Sequence, residues 1–281
     1  MKKLLALLLS LTMVLAFAGC AKKGASTDES AKKEGSTAEA KSSDYDYIKS
    51  KGELVIGYTV YEPMNYKDKD GKLIGFDTEF AEAVCAKLGI KPKFVEINWD
   101  TKEVELNAKS IDCIWNGFTI NADREKNLDF TKPYIENKQV VVIKKDNADK
   151  FKTAESLSSA NLVAEKASAG ETAIKDDQNL SKAKYVPVGK QTDALLEVKS
   201  GTADAAVLDY TLAFSMVGEG TDYADLMIVK GLDLSVEEYG IGFRTGSDLV
   251  GKVNTTIDEL KKDGTLKTIA AKYKLEPILI K

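Results

Sequence analysis

Few residue types in this sequence could carry out chemistry. The chain of 281 residues has no histidine and three cysteines. Without histidine there is no Ser-His-Asp or Cys-His nucleophile, no histidine general base and no imidazole metal ligand. Three sulfurs are too few for a zinc site made only of cysteines or for an iron–sulfur cluster. Carboxylate, lysine and tyrosine chemistry remain open, and we predict neither a bound metal nor a cofactor.

The charge and length of the chain narrow the class of protein. It carries 40 lysines and arginines against 44 aspartates and glutamates, a net charge of −4. This balance argues against a nucleic-acid partner, because no basic excess is present to meet phosphates. The content of 43% apolar and 30% charged residues is ordinary for a globular protein, and the length fits one or two domains.

The first residues are typical of an export signal. Two lysines follow Met1, residues 4–17 are almost wholly apolar, and small residues come before Cys20. The stretch is too short and wrongly flanked for a membrane-spanning helix, and a core helix would not end at a polar tract. The sequence Ala-Gly-Cys resembles the lipobox of bacterial lipoproteins. This implies a signal peptide at residues 1–19 and acyl groups such as palmitate on Cys20, which anchor the chain to a membrane.

A polar segment follows the predicted anchor. Residues 21–44 contain no aromatic residue and no leucine, isoleucine, valine or methionine. Such a segment cannot bury enough surface to offset its chain entropy, so we predict a disordered tether at 20–44. The globular part would then begin near residue 44, and no later apolar stretch is long enough to span a bilayer.

The rest of the chain alternates short β-type runs with amphipathic helical stretches. Residues 140–143 are a β-branched run typical of a strand buried on both faces. A helix is predicted from residue 76 with Asp77 as its N-cap, and another over 248–262 with one apolar stripe. This alternation predicts an α/β protein with mainly parallel sheets, and its length favours two lobes. Further strands are predicted at 53–57, 93–97, 111–115, 162–164, 185–188, 205–208, 227–229 and 239–243, and a further helix at 193–199.

Several motifs occur in an order typical of one protein family. Gly-Phe-Asp heads a helix at 75–77, Thr-Ile-Asn-Ala-Asp-Arg occupies 119–124, and Leu-Asp-Phe-Thr-Lys-Pro-Tyr follows at 128–134. The opening run KGELVIG, the run YGIGF and the closing run LKKDGTL also fit. The ordered set resembles the polar amino-acid-binding lipoproteins of bacterial ABC importers, which belong to family 3 of the bacterial extracellular solute-binding proteins.

The resemblance implies a two-lobed periplasmic-binding-protein-like fold of type II. In such a fold two α/β lobes are joined by two hinge strands, and the chain leaves lobe 1, builds lobe 2 and returns. We expect the crossings near residues 137–140 and 236–238. Lobe 1 would then comprise 45–139 and 237–281, and lobe 2 would comprise 140–236.

The resemblance also implies a site that grips a zwitterion between the lobes, where each buried ligand charge must meet an opposite charge. In lobe 1, Arg124 lies at the family's position for the ligand α-carboxylate, which a guanidinium binds through two parallel hydrogen bonds. Thr119 would contribute its hydroxyl or N–H to the same carboxylate, and the carbonyl of Gly117 would accept from the α-ammonium. Asn116 lies beside them, where relatives usually have small residues. On charge pattern alone, Arg124 could instead be a surface arginine paired with an acidic neighbour in sequence.

In lobe 2, Asp209 matches the family's aspartate for the α-ammonium, and capping of the following helix is the alternative. The turn in EKASAGE corresponds to the turn whose backbone N–H groups reach the carboxylate, with Ser168, Ala169 and Gly170 as candidates. Relatives often have a hydroxyl at the position of Ala169, so a main-chain contact is expected there. The alternative is an ordinary strand-to-helix turn of small residues.

Three aromatic residues are candidates for the wall around the ligand side chain. Tyr61 lies at the family's aromatic lid position, Trp99 at a second position that is often aromatic, and Tyr58 where some relatives have a polar contact to the side chain. Core packing is the alternative for each. Together they favour an aromatic amino acid, cystine or another amino acid with a large side chain. The shortage of acidic residues among these positions disfavours lysine or arginine as the ligand.

Two cysteines and a loop with two aspartates remain. Cys85 and Cys113 are the right number for one disulfide in an exported protein, and two buried free thiols are the equal alternative. The run YKDKDG at 66–71 begins like a calcium-binding loop but lacks its length and its terminal glutamate. We therefore predict a hairpin turn there.

The resemblance implies an extracytoplasmic receptor rather than an enzyme. It would be lipid-anchored at the outer face of the membrane, act as a monomer, close on a free amino acid and deliver it to the permease subunits of an ABC transporter. The alternative is an enzyme similar to cyclohexadienyl dehydratase, which acts on prephenate or arogenate, because some relatives with this scaffold catalyse that reaction. The absence of histidine and the predicted anchor favour binding.

Overall fold

The computed structural model describes residues 43–281. The predicted signal peptide, the acylated Cys20 and nearly all of the predicted tether lie outside the described residues. Within 43–281, no helix is both long enough and apolar enough to cross a membrane.

Strands and helices alternate along the described chain, as the sequence predicts. The strands are β1 (Glu53–Tyr58), β2 (Tyr66–Lys67), β3 (Leu73–Ile74), β4 (Lys91–Glu96), β5 (Cys113–Thr119), β6 (Leu128–Phe130), β7 (Ile135–Lys144), β8 (Asn161–Glu165), β9 (Lys184–Val188), β10 (Ala205–Asp209) and β11 (Leu226–Arg244). The helices are α1 (Asp44–Lys51), α2 (Phe76–Leu88), α3 (Lys102–Asn107), α4 (Ala169–Asp176), α5 (Gln191–Ser200), α6 (Tyr210–Met216), α7 (Leu249–Lys262) and α8 (Thr265–Lys272).

The main sheet is parallel at its ends and antiparallel in its middle. Its strand order is β4-β1-β5-β11-β7-β10-β8-β9, with β6 paired to β11. β1 is parallel to β4 and β5, and β8 is parallel to β9 and β10. The pairings of β7 and β11 with each other and with β5, β6 and β10 are antiparallel. The prediction of mainly parallel sheets is therefore wrong for the middle, because one strand leaves lobe 1 and another returns to it.

The two lobes are joined by β7 and β11. These strands pair from Lys144 and Leu226 at one end to Ile135 and Tyr239 at the other, with shifts of register between Ile228 and Ser235. The sequence predicts two separate strands within β11, whereas the structure has one. The intervening residues are mostly polar and exposed, which hides the strand in the sequence, and pairing with β7 continues it.

Buried apolar positions follow the predicted patterns. All of the residues 139–143 in β7 are buried, as expected for a strand covered on both faces. Helix α7 buries Leu249, Val253, Ile257 and Leu260 along one stripe, and it contacts α2 and α8. Both predictions are confirmed, since packing against neighbours requires these faces to be apolar.

Helix α2 begins at Phe76, but Asp77 is not its N-cap. The cap position is Gly75, and no side chain within residues 43–281 caps the helix by a hydrogen bond. The side chain of Asp77 turns into the core, where its Oδ2 accepts the N–H of Gly117 at 2.6 Å and the hydroxyl of Tyr134 at 3.0 Å. Burial raises the pKa of Asp77 to about 7. The N-cap prediction is wrong because this carboxylate binds the backbone of strand β5 instead of the first turn of α2.

Cys85 and Cys113 are free thiols, both fully buried in the same hydrophobic cluster. Of the two alternatives, the structure therefore has the free thiols and not the disulfide. Burial raises the pKa of Cys85 to about 12 and also raises that of Cys113. Thiols in such apolar surroundings behave as small hydrophobic side chains.

The loop between β2 and β3 is a hairpin turn, as predicted. Its strands are antiparallel, and Oδ1 of Asp68 accepts the backbone N–H groups of Asp70 and Lys72 at 2.9 Å each. The carboxylate therefore closes the turn. No group of three or more metal-binding side chains occurs anywhere in 43–281.

Candidate ligand-binding site

A small cavity lies where strands from both lobes end. Thr119 ends β5, Glu165 ends β8 and Asp209 ends β10. The carboxyl ends of strands are the usual place for ligands in open α/β sheets. The cavity is narrow in this structure, with a volume of about 10 Å³, and its walls are formed by Tyr61, Trp99, Asn116, Gly117, Thr119, Arg124, Glu165, Ser168, Ala169, Gln191 and Asp209. The predicted ligand-binding residues all line it except Tyr58 and Gly170.

Arg124 is a buried cation on the lobe 1 side. Its side chain lies over the ring of Phe118, with 4.5 Å between the guanidinium carbon and the ring centre. Nη1 donates to the carbonyl of Thr119 at 2.6 Å and Nη2 to the carbonyl of Ala167 in lobe 2 at 3.4 Å. Burial lowers its pKa, although an arginine remains charged. The alternative of an exposed ion pair is wrong, because Arg124 is only 7% exposed and Asp123 pairs with Lys126 instead.

The side-chain amide of Asn116 makes all of its hydrogen bonds to groups of lobe 1. Its Oδ1 accepts the N–H and the hydroxyl of Thr59 at 3.0 and 2.8 Å. Its Nδ2 donates to the carbonyl of Thr59 at 2.9 Å and to Oδ1 of Asn65 at 2.7 Å. A side-chain amide has few further hydrogen bonds to offer, so this residue fixes the shape of the wall.

Gly117 is held in a conformation that favours glycine. Its φ is +56°, and a Cβ at this position would lie 2.7 Å from the ring of Tyr61 and 3.0 Å from the ring of Tyr239. Its N–H is the one that donates to Asp77. A larger residue would therefore displace the aromatic wall as well as strain the backbone.

Tyr61 links the lobes through its hydroxyl. This hydroxyl is 2.5 Å from the hydroxyl of Tyr239 and also contacts the hydroxyl of Thr211 in lobe 2. The ring is 2% exposed and lines the cavity. The structure therefore places Tyr61 over the cavity, where the sequence expects an aromatic lid.

Trp99 and Tyr58 differ in their positions. Trp99 lines the cavity and packs edge-to-face on Phe118, with 5.4 Å between the ring centres. Tyr58 does not line the cavity, and its ring packs edge-on against Phe94 at 6.2 Å. For Tyr58 the structure therefore has core packing, the alternative to a contact with the ligand side chain.

Asp209 is the most densely hydrogen-bonded carboxylate of the site. It accepts hydrogen bonds of 2.5–2.8 Å from Asn137, Gln139, Gln191 and the hydroxyl of Tyr239. Asp209 occupies the cap position of α6, but its side chain makes no capping hydrogen bond. Burial, and then the neighbouring Glu237, raises the pKa of Asp209 to about 8.

The turn after β8 contributes three predicted residues in different ways. Ser168 is the N-cap of α4, and its hydroxyl accepts the N–H of Glu171 at 3.1 Å. Ala169 opens the helix and lines the cavity. Gly170 faces the sheet, where a Cβ would lie 2.6 Å from the carbonyl oxygen of Val207. Glycine at 170 therefore allows α4 to pack closely on β10.

Ala167 is a contact between the lobes that the sequence does not predict. It has a left-handed φ of 59°, which is unusual for a residue with a Cβ. Its carbonyl accepts from Arg124 and, at 3.2 Å, from Nζ of Lys102. Its N–H donates to Glu171 at 2.7 Å, which fixes the turn.

Two further buried ionisable residues are also absent from the prediction: Glu165 lines the cavity, and Lys102 lies beside it against Trp99. Glu165 is 2% exposed, and in residues 43–281 its Oε1 has no hydrogen-bond partner. Burial, and then Asp209, raises its pKa to about 8. Lys102 is 4% exposed and lies 4.9 Å from the ring centre of Trp99. Burial, and then Arg124, lowers its pKa to about 8.

The two omissions have different origins. Glu165 directly follows the strand predicted at 162–164, as Asp209 follows the strand predicted at 205–208, so the same rule could have found it. Lys102 carries no such indication. It lies on a short charged helix, and its burial comes from Trp99 and from the opposite lobe.

Polar contacts also join the lobes at the rim of the cavity. Lys166 pairs with Asp100 at 2.6 Å, and Lys190 pairs with Glu96 at 2.6 Å. Exposed pairs of this kind contribute little free energy individually. The cavity itself is lined by one cation from lobe 1, Arg124, and by the carboxyl groups of Glu165 and Asp209 from lobe 2, an arrangement that suits a small molecule with both charges.

The chain is similar to one family over nearly all of its described length. Residues 54–276 match the bacterial extracellular solute-binding proteins, family 3. The L-cystine-binding protein TcyA of Bacillus subtilis strain 168 is 32% identical over 277 residues, 95% of this chain and 96% of that protein. An ancestral arginine-binding protein bound to arginine superposes with a TM-score of 0.74 at 35% identity, over 79% of this chain and 98% of that one. The ancestral amino acid-binding protein AncCDT-1, a precursor of cyclohexadienyl dehydratase, gives a TM-score of 0.74 at 34% identity, over 82% and 99%.

Proposed function

Because this chain belongs to the bacterial extracellular solute-binding proteins of family 3, we propose that it captures a free amino acid between its two lobes. It delivers that amino acid to the permease subunits of an ABC transporter and does not itself catalyse a reaction. The cystine- and arginine-binding relatives support an amino acid as the ligand.

One observation carries this proposal: Arg124 and Asp209 reach the same cavity from opposite lobes. The guanidinium of Arg124 binds the ligand α-carboxylate together with Thr119. Asp209 and the carbonyl of Gly117 receive the α-ammonium. A ligand that contacts both lobes binds the closed arrangement better than an open one, so it shifts the population towards closure.

The membrane anchor and the lobe boundaries are part of the same proposal. Residues 1–19 are removed as a signal peptide, Cys20 is acylated, and 20–44 tether the monomer to the outer face of the membrane. Lobe 1 comprises 45–139 and 237–281, and lobe 2 comprises 140–236. The sequence pattern supports the anchor, and membrane fractionation of a Cys20→Ser variant checks it.

Thermal-shift screening against the amino acids, with cystine and arginine included, tests the function. A ligand raises stability by RT ln(1 + [L]/Kd). Arg124→Ala should weaken the binding of the best ligand at least tenfold, because it leaves a buried carboxylate without its partner. Lys126→Ala, an exposed neighbour, is the control. Absence of any stabilising amino acid, or unchanged affinity of Arg124→Ala by calorimetry, would contradict the proposal.

Glu165 also favours a second candidate, an enzyme similar to cyclohexadienyl dehydratase. A carboxyl group with a pKa of about 8 is protonated at neutral pH and could donate a proton to a leaving hydroxyl. The likeness to AncCDT-1 is to an amino acid-binding precursor, so binding remains the preferred function. Incubation with prephenate decides between them: phenylpyruvate formed by the wild type and not by Glu165→Gln would favour the enzyme.

A further inference from the structure

Lys102 is a buried lysine whose hydrogen-bond partners are carbonyl groups. Its side chain is 4% exposed, and its Nζ donates to the carbonyl of Trp99 at 3.0 Å and, across the lobe boundary, to that of Ala167 at 3.2 Å. In the part of the chain that the structure describes, its ammonium forms no ion pair, because the nearby Asp100 pairs with Lys166. Such an ammonium has lost its water without meeting an opposite charge.

A second buried cation shares one of these acceptors. Nη2 of Arg124 also donates to the carbonyl of Ala167, at 3.4 Å, so the two positive groups of lobe 1 converge on one oxygen of lobe 2. Burial, and then the charge of Arg124, lowers the pKa of Lys102 to about 8. At pH 7 both groups still carry their charges, and one neutral carbonyl does not balance two positive charges.

The carboxyl groups near Lys102 compensate its charge only in part. Glu103, Glu165 and Asp100 favour the charged form of the lysine, but burial and Arg124 outweigh them. Burial raises the pKa of Glu165 to about 8, so this carboxyl group holds a proton at pH 7. The region around the two cations therefore has a positive charge that the protein does not neutralise.

The unfavourable burial arises when the lobes come together. Ala167 covers Lys102 from the opposite lobe, and the N–H of Ala167 is fixed by Glu171 at 2.7 Å. With the lobes apart, Lys102 loses this acceptor and regains water, which screens the two cations from each other. Closure thus moves two like charges from water into the protein interior, and a carboxylate placed on Arg124 supplies negative charge exactly to this region.

We propose that Lys102 disfavours closure of the lobes until a carboxylate has bound to Arg124. The inference rests on the proposed function and assigns Lys102 a part in specificity without a contact to the ligand. The negative charge of a bound carboxylate lowers the cost of burying both cations. A ligand with a neutral group at this position, such as an amino-acid amide, leaves both cations uncompensated and closes the lobes poorly.

The alternative role for Lys102 is that of a simple clamp, a hydrogen bond that holds the lobes together. Its bond to the carbonyl of Ala167 crosses the lobe boundary and fits such a role. A clamp stabilises the closed arrangement for every ligand, so its removal weakens all ligands equally. The proposed role predicts a different result, because removal of the charge makes closure easier, and most of all for a ligand without a carboxylate.

Calorimetry with a matched pair of ligands tests the proposal on the full chain. The pair is the L-amino acid that binds best in the thermal-shift screen and its α-carboxamide, which keeps the ammonium and the side chain but has no carboxylate. Lys102→Met should bind the amide at least about fivefold more tightly than the wild type does, and its affinity for the amino acid should change less than about threefold. Competition against the amino acid measures the weaker ligand.

Two further variants show whether the charge is responsible. Lys102→Gln keeps a hydrogen-bond donor but loses the charge, so it should bind the amide more tightly, as Lys102→Met does. Lys182→Met removes an exposed lysine of lobe 2 and should leave both affinities unchanged. If the amide bound more tightly to Lys102→Met but not to Lys102→Gln, the charge of Lys102 would not be the cause and the proposal would be wrong.

The distance between the lobes gives a second measurement. Spin labels on Lys262→Cys in α7 and Leu196→Cys in α5 replace exposed residues of the two lobes, and saturating amino acid defines the closed distance. With saturating amide, the wild type should remain partly open, and Lys102→Met should shift towards the closed distance. Identical distance distributions for the two proteins with the amide would overturn the proposal.

The outcomes separate this inference from the proposed function. A wild type that binds no amino acid would contradict the proposed function itself. Binding by the wild type, together with tighter binding of the amide by both Lys102 variants, would support both. Equal weakening of the amino acid and the amide would identify a clamp, and unchanged affinities would leave Lys102 without a role in closure. Either of these two results would overturn the inference alone.

Discussion

The two walls of the cavity differ in how far the protein satisfies their polar groups. On the lobe 1 side, the amide of Asn116 makes four hydrogen bonds and the N–H of Gly117 is held by Asp77. On the lobe 2 side, Glu165 has an oxygen without a hydrogen-bond partner among residues 43–281, and the nearby Ala167 is in a left-handed conformation. The polar groups of the lobe 1 wall are therefore held by hydrogen bonds within lobe 1. The polar groups of the lobe 2 wall depend more on contacts with groups across the cavity.

This difference matters for recognition. A wall whose groups are held by their own lobe keeps its shape whether the lobes are together or apart, which is the usual meaning of preorganisation. The turn at Ala167 instead uses its carbonyl to bind Arg124 and Lys102 of the other lobe. We expect changes in the lobe 1 wall to damage the fold and changes in the lobe 2 wall to alter ligand choice.

The largest effect is expected from Gly117→Ala. The added methyl group would lie 2.7 Å from Tyr61 at a positive φ, so both overpacking and backbone strain oppose folding. We expect a loss of about 2–4 kcal/mol in the free energy of unfolding, measured by urea denaturation. Gly251→Ala is the matched control: it lies in α7, where an added Cβ would meet no heavy atom within 4 Å among residues 43–281 apart from the backbone of its own helix, and it should be neutral or slightly stabilising. If Gly117→Ala lost no more unfolding free energy than the control, the lobe 1 wall would not be rigid.

Asp209→Asn should reduce ligand affinity about tenfold or more while preserving the fold. The substitution keeps the shape of the side chain but removes the carboxylate expected to face the α-ammonium. The neighbouring carboxyl group of Glu237 can compensate for only part of this lost interaction. Calorimetry with the best ligand measures the effect. The exposed pair of Lys138 and Asp233 offers the control, Asp233→Asn, which should leave affinity unchanged. If Asp209→Asn bound normally, its role would be confined to the network of Tyr239.

The pH dependence of stability should distinguish Glu165 from ordinary glutamates. Its folded pKa of about 8 lies above the ordinary glutamate value of 4.5, so near neutral pH the folded protein holds a proton that the unfolded chain has lost. Its contribution is therefore complete below the unfolded pKa and disappears as pH rises through about 8. Asp209 acts in the same direction. Between pH 5 and 9 the unfolding free energy of the wild type should fall, and in Glu165→Gln this fall should be smaller by about 1 kcal/mol or more. Glu155→Gln, which changes an exposed glutamate, should leave the fall unchanged. If the wild type and Glu165→Gln showed the same dependence on pH, the burial assigned to Glu165 would be contradicted.

The smallest effect is expected from Ser168→Ala. Its hydroxyl caps α4, so the substitution should cost about 1 kcal/mol in unfolding free energy. Affinity should change less than about twofold, because the predicted contact at this turn is made by the main chain. A tenfold loss measured by calorimetry would instead place the hydroxyl on the ligand.

The sequence allowed the elements and the cavity to be predicted better than the hydrogen-bond network. Strands such as β7 and helices such as α7 follow from local apolar patterns, and the ordered motifs brought Arg124 and Asp209 to one place. The role of Asp77 was missed because a carboxylate at the start of a helix is compatible with both a cap and a buried support. Lys102 was missed because its burial depends on residues from the other lobe, which no local pattern contains.

The pairing of β5 with β11 has a consequence for the order of assembly. Thr119 at the end of β5 pairs with Tyr239, whereas β8, β9 and β10 find one another within a single continuous segment. During synthesis from the N terminus, one edge of β5 thus stays open until the last part of the chain has emerged. Lobe 2 can assemble before lobe 1 is complete, because lobe 1 still lacks β11. During that interval the unpaired edge of β5 is the surface that a chaperone would have to shield.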